Sequence, residues 1–507
     1  MRGLQTPVRA IRRQVFTEVA KLGFKANAET LVADMEAIPY EIVGEDSEVK
    51  YRESIYRARA VVRERLRLAM GLSLRPENKP VHLTAGVEAS NISEKYYEPP
   101  LMQVIPSGCE SCEENKYEVS NVCKGCLAHP CQEVCLRGAI SMVNGKSFID
   151  QDKCIKCGKC KSVCPYDAIA KKERPCKKAC GVNAITSDKL GRAYIDADKC
   201  VSCGMCMVSC PFGAISDKSQ IFQLARALSE GEEIVAEVAP AFVGQFGPNI
   251  NVRNFKAALE ELGFSETYEV ALGADIGAIA EAHHYVNKVT TGELPFLLTS
   301  CCPSWAMLAK KFFPDLIDQI SQELTPMVAT ARTIKQEHPN AKVVFIGPCA
   351  AKKLEASRRS VRSDVDFVLT FEETMGLFDA KAVDFKSLEV EEPLQTSSAL
   401  GKGFASSGGV AQAVVKVINE MRPDMEVKTV KAEGLAECKK MLMMAKAGRY
   451  DGYLLEGMAC PGGCVGGAGV LSDVRKTAMD LQKDMARSEL KDPTETQYKD
   501  CLLYTSP

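Results

Sequence analysis

No apolar run in the chain approaches the roughly 20 residues of a membrane span, so no membrane partner is expected. No sign of charge dominates either. The 64 Lys and Arg nearly match the 66 Asp and Glu, for a formal net charge of −2, which argues against nucleic acid or an anionic surface as the main partner. Met1–Pro7 place no apolar stretch ahead of the basic Arg9, Arg12 and Arg13. A secretory signal is therefore not expected, and the expected location is the cytoplasm. Tryptophan occurs once, and the first 108 residues hold no cysteine.

What is present in excess is cysteine, 23 residues in a chain of 507. Disulfides at that density belong to small secreted domains, so metal or redox use is the better reading. Hydrophobic content of 46% and charged content of 26% are ordinary for globular protein, and the length suits about three domains. Sixteen cysteines fall between Cys109 and Cys210, and seven are scattered from Cys301 onward. This division suggests an α+β multidomain chain in four parts: a helical N-terminal region (1–95), a cysteine-rich domain (96–220), an α/β domain (221–485) and a tail (486–507). Val49–Leu72 reads as a helix with Tyr56, Ala60, Val61, Leu66 and Ala69 among Arg and Glu, a structural or docking element without chemistry. Ala85–Gly108, with Pro99-Pro100 and Pro106-Ser107-Gly108, reads as a linker. The tail around Cys501 matches no pattern.

Past residue 221, four short apolar runs read as buried strands: Ile234–Val238, Pro295–Leu298, Val343–Ile346 and Tyr453–Leu455. Helical stretches such as Trp305–Phe313 and Gly409–Met421 separate them. Such alternation implies a largely parallel sheet, whose sites form where loops leave the carboxyl ends of strands. Three of the four runs lead directly into a segment carrying cysteine.

The cysteine-rich domain is duplicated. Phe148–Cys154 (FIDQDKC) recurs as Tyr194–Cys200 (YIDADKC), and Pro130-Cys131-x3-Cys135 recurs as Pro175-Cys176-x3-Cys180. Cys154, Cys157, Cys160 and Cys164-Pro165 match the bacterial ferredoxin run, as do Cys200, Cys203, Cys206 and Cys210-Pro211. Three close thiolates wrap one [4Fe–4S] cubane and the fourth reaches a neighbouring cluster. A zinc ribbon would instead want paired CxxC units alone. By analogy, Cys135 completes the cluster of Cys154, Cys157 and Cys160, and Cys164 that of Cys123, Cys126 and Cys131. Cys180 likewise completes Cys200, Cys203 and Cys206. Cys210 is left for Cys176 with Cys109 and Cys112, unless these last two form a separate site. The expectation is four accessory cubanes.

Three later segments are specific together: Thr299-Ser300-Cys301-Cys302-Pro303-Ser304-Trp305, Gly347-Pro348-Cys349-Ala350-Ala351-Lys352-Lys353-Leu354-Glu355, and Glu456-Gly457-Met458-Ala459-Cys460-Pro461-Gly462-Gly463-Cys464. They resemble the three signature motifs of the [FeFe] (iron-only) hydrogenase catalytic domain, over about residues 100–480. The resemblance implies an H-cluster whose cubane is held by Cys302, Cys349, Cys460 and Cys464, with Cys464 bridging to a two-iron subsite carrying carbonyl, cyanide and a dithiolate amine. It implies that Lys352 hydrogen-bonds a cyanide and Met458 packs on the subsite, with Pro240 and Ala241 lining the opposite wall. In the family dihydrogen is cleaved heterolytically, Cys301 passes the proton on, and electrons leave through the accessory clusters to a ferredoxin or similar low-potential carrier. Dedicated maturases insert the subsite.

Beyond Cys301, the resemblance implies a proton relay that retains Glu281 and Ser321. His284 stands where a second glutamate is usual, Lys288 where an arginine is, Gly347 where a methionine is common and Ala241 where serine is often found. Cys301 has an alternative as a buried structural cysteine, and His283 and His284 as ordinary helix-face residues. Cys438 reads as core packing. Two competing functions stay open. One is a non-catalytic relative similar to the iron–sulfur assembly and prelamin-binding proteins of this fold, against which Cys301, Lys352 and Met458 weigh. The other is a redox or hydrogen sensor, for which an appended sensory domain is expected.

Overall fold

The computed structural model describes all residues except 1–2, 26, 46–51, 248–249, 386–387, 389–396 and 500–507. Cys501 and the end of the tail lie outside the described residues. The model is mixed α and β, as expected, and among the described residues no helix is long and apolar enough to cross a membrane.

All four expected strands form, as Ile234–Val238, Leu297–Leu298, Lys342–Gly347 and Tyr453–Met458. They do not share one sheet. A four-stranded parallel sheet runs in the order Glu266–Glu269, Ile234–Val238, Lys342–Gly347, Phe367–Thr370. A separate three-stranded parallel sheet runs Leu297–Leu298, Tyr453–Met458, Lys428–Glu433. The additional strands escape sequence reading for physical reasons. Lys428–Glu433 is a sheet edge whose polar residues face water, Glu266–Glu269 is an edge strand that buries the polar Thr267 and Glu269, and Phe367–Thr370 is too short to show a period.

Helices form where the apolar spacing placed them: Pro303–Phe312 begins with proline in its first turn, which needs no amide donor there. Gly409–Met421 starts where the buried Glu456 carboxylate accepts the amides of Gly408 at 2.6 Å and Ala411 at 2.9 Å. The helix expected over Val49–Leu72 spans Ile55–Ala69 among the described residues.

The N-terminal helices Pro7–Lys25, Leu31–Ile42 and Ile55–Ala69 do not stand apart. Val15, Val19, Met35, Val62 and Leu66 are buried in one hydrophobic core with Phe222, Val235, Phe345, Phe371 and Phe378. Arg12 pairs with Glu372 at 2.6 Å beneath it. The cysteine-rich module lies between these contributions. It is closed by antiparallel pairing of Met102–Val104, inside the expected linker, with Ile215–Asp217. Inside it, three further antiparallel pairs join 116–119 with 169–172, 140–143 with 146–149, and 185–187 with 193–195.

Candidate active site and the cysteine-lined cavities

Every described cysteine is a free thiol, and the module sorts its own into sets of four. One cavity of about 400 Å³ is lined by Cys135, Cys154, Cys157 and Cys160. A second of about 350 Å³ holds Cys123, Cys126, Cys131 and Cys164, and a third of about 330 Å³ holds Cys109, Cys112, Cys176 and Cys210. The remaining four, Cys180, Cys200, Cys203 and Cys206, face one another closely enough that each thiolate would oppose its neighbours, on top of the burial that already raises the thiols of the last three. Backbone amides repeat at equivalent places. Ala139, Ala168, Ala184 and Ala214 donate to the sulfurs of Cys135, Cys164, Cys180 and Cys210 at 3.2–3.4 Å. Among the described residues no group of three or more His, Cys, Asp or Glu could hold a single metal ion. In a cubane each thiolate binds a different iron.

The carboxyl ends of both parallel sheets open on a larger cavity of about 770 Å³. Cys302, Cys349, Cys460 and Cys464 all line it, with Cys301, Lys352, Met458, Pro240 and Ala241. Its lining contains no carboxylate or imidazole, so its donors are sulfur and one ammonium. Burial raises all four ligand-candidate thiols, Cys349 to about 11. Iron would have to displace their protons. Lys352 stays charged despite full burial because Glu355 accepts from its Nζ at 2.7 Å. Four buried thiols, a paired lysine and an apolar wall suit an iron–sulfur cluster extended by an anionic, non-protein-ligated group.

Small residues bring the three motifs together. Gly457 has no side chain because the Trp305 ring occupies the place a Cβ would take, and Trp305 Nε1 donates to Thr299 O at 2.9 Å. The lone tryptophan thus joins the first and third motifs. Gly347 is similarly filled by the ring of Phe345, which also lines the cavity. An aromatic two residues earlier occupies space where the resemblance places a methionine side chain. Lys353, next to Lys352, is fully buried between Asp217 of the module and Glu373, each at 2.7 Å. Ser304 Oγ donates to Val201 O at 2.9 Å, so the set around Cys203 lies against the helix that begins at Cys302.

Three stretches of the chain match two known families. Residues 232–468 match the family model described as iron only hydrogenase large subunit, C-terminal domain. Residues 148–170 and 193–216 match the 4Fe-4S binding domain. The chain is a divergent [FeFe]-hydrogenase-like protein. It is 29% identical over 305 residues to the NADP-reducing hydrogenase subunit HndD of Solidesulfovibrio fructosivorans, covering 49% of this chain and 52% of that protein. The chain thus spans about half the length of that relative. It is 25% identical over 295 residues to cytosolic iron-sulfur assembly component 3 of Bos taurus, covering 48% and 62%. A solved [FeFe]-hydrogenase of Chlamydomonas reinhardtii superposes with a TM-score of 0.46 at 20% identity, over 54% of this chain and 89% of that one.

Within the hydrogenase-like domain, the groups expected to move protons are brought together behind Cys301. Burial pushes the Cys301 thiol well up, and the Glu281 carboxylate adds to that rise more than any other charge. Glu281 is itself buried and raised to about 7, mainly by desolvation, with the Ser321 hydroxyl and the Ser300 amide pulling back. Ser300 N–H donates to Glu281 Oε1 at 3.4 Å. His283 is exposed. His284 is mostly enclosed, 3.7 Å from Glu323. Lys288 pairs with Glu293 at the surface, away from this group. Glu323 escaped sequence reading because it lies in a loop forty residues from Glu281 with no motif around it. Phe345 was missed because only its neighbour Gly347 departs from the motif. Cys438 is buried in the core, its thiol 3.5 Å from Met458 O.

Proposed function

We propose that the chain is an [FeFe] hydrogenase, interconverting dihydrogen with two protons and two electrons, and exchanging the electrons with ferredoxin or a similar low-potential carrier. The observation that carries this reading is the size of the cavity between the three motifs. Each cavity in the module lined by four cysteines spans about 330–400 Å³ with its open mouth included, whereas this one spans about 770 Å³ on the same measure behind a similar set of four. A cubane alone does not need the excess, which is walled by Pro240, Ala241, Phe345 and Met458 and reached by the Lys352 ammonium. Cys302, Cys349, Cys460 and Cys464 would hold an H-cluster, Cys464 serving both its cubane and its two-iron part, and the Lys352 ammonium would offer a hydrogen bond to its anionic part. When bound, that group supplies the iron chemistry that makes or splits dihydrogen.

The chain's own residues then handle protons and exclude water. Cys301 Sγ sits in the cavity wall beside a ligand candidate, and passes a proton to or from the Glu281 carboxyl. Glu281, held near neutrality by burial, can both accept and release it, with the Ser321 hydroxyl beside it. The apolar lining keeps bulk water away.

The assembly-protein reading has one specific support, the comparable identity to an iron-sulfur assembly component. Infrared spectra separate the two. Protein matured anaerobically with the hydrogenase maturases should show carbonyl and cyanide bands and reduce a low-potential acceptor with dihydrogen. A spectrum without those bands would favour assembly. Before maturation the same protein should bind about twenty irons, four per cubane over five clusters, whereas about twelve would leave only the two motif clusters and the catalytic cubane.

A further inference from the structure

Glu281 has one carboxylate oxygen, Oε2, that is buried without a hydrogen-bond partner. A buried acid that exchanges protons needs a second group to take them toward water, and the residue at the usual position, His284, is joined by an acid from another part of the chain. Glu323 Oε1 lies 3.7 Å from His284 Nδ1, and the two side chains are 18% and 15% exposed, between the fully buried Glu281 and the surface. The serines beside Glu281 also set the backbone of Glu323: Glu323 N–H donates to Ser321 Oγ at 3.3 Å, and Ser300 Oγ donates to Glu323 O at 3.1 Å. Glu281 faces the pair on the inner side, and on the same helix His283 is exposed and Lys288 is engaged by Glu293.

We infer that Glu323 and His284 together form the outer end of the proton path, the loop carboxylate and the helix imidazole replacing a single helix carboxylate. This rests on the hydrogenase reading and assigns that site a residue from outside its motifs. The step is a proton transfer alone: the proton leaving the Glu281 carboxyl is taken by Glu323 or His284 and released to water, and no electron moves. Two acceptors side by side make the exit tolerant of losing either one.

The test uses the full chain. In matured protein, Glu323→Gln with His284→Ala should cut turnover about a hundredfold, shift the pH profile and leave the infrared bands unaltered. Glu323→Asp with His284→Ala should recover part of the rate. His283→Ala, on the exposed face of the same helix, should match wild type. If the double variant keeps the wild-type rate and pH profile while Glu281→Gln is slow, the exit runs elsewhere and only this inference fails. If wild-type protein matures without carbonyl and cyanide bands, the hydrogenase reading itself fails, and with it any path leading from it.

Discussion

The cysteine-rich module and the hydrogenase-like domain gather the same ligand type by opposite means. In the module, runs such as Cys154–Cys164 place most of a set within a dozen residues, on turns and single helical turns that repeat in both halves. Little core is needed, and Leu127, Leu136, Phe148 and Ile155 remain exposed. In the domain, the four thiols come from Cys302, Cys349, Cys460 and Cys464, set at the ends of strands in two separate sheets. Their meeting depends on the packing beneath them, including Trp305 on Gly457 and Phe345 over Gly347. A site encoded locally tolerates a thin protein shell, and one encoded by strand ends requires a full core.

The largest expected effect separates chemistry from assembly. Cys301→Ala should lower turnover by about 10²–10⁴-fold while carbonyl and cyanide bands persist, since the thiol moves protons and holds no iron. Turnover at the wild-type rate would return Cys301 to a packing role. The join between the two regions is the next target. Lys353→Met leaves the buried carboxylates of Asp217 and Glu373 without their cation, and should cost about 3–5 kcal/mol in chemical denaturation. A loss below about 1 kcal/mol would mean that the module and the domain are held by other contacts.

The smallest effect is a pH dependence of stability in unmatured protein. Burial raises Glu281 from 4.5 to about 7, so the folded chain retains a proton that the unfolded chain gives up. Its cost to stability is absent below about pH 4.5, grows as pH rises and is complete above about pH 7. The slope in that window is at most about 1.4 kcal/mol per pH unit. Glu281→Gln should flatten the stability curve between those limits. A variant whose curve parallels wild type would show that Glu281 is not held protonated.

Legibility followed the same division. In the module, spacing and repetition make Cys154, Cys157 and Cys160, and Cys200, Cys203 and Cys206, legible as groups, because they are neighbours in sequence. Cys109 and Cys112 carry no such signal toward Cys176 and Cys210, with which they line one cavity. In the domain, the three motifs and four buried strands were readable because an apolar run followed by cysteine and glycine leaves a strong local signal. The polar edge strands were not, nor was the division into two sheets, since pairing partners leave no mark on a strand's own residues. Glu323 illustrates the limit: its relevance comes only from the fold of the loop that brings it to His284.

The clasp of Met102–Val104 with Ile215–Asp217 has a consequence for synthesis on the ribosome. Helix Pro7–Lys25 precedes the module and meets Leu31–Ile42 and Ile55–Ala69 early, yet its other partners, Ile221–Ser229 and Phe371–Lys381, follow only after the whole module has been made. At about 5–20 residues per second, its apolar face waits roughly 10 s or more for the first of them. Meanwhile the module can complete its own hairpins and turn sites. The order of translation therefore lets the module complete its cysteine-lined cavities before the larger cavity has closed.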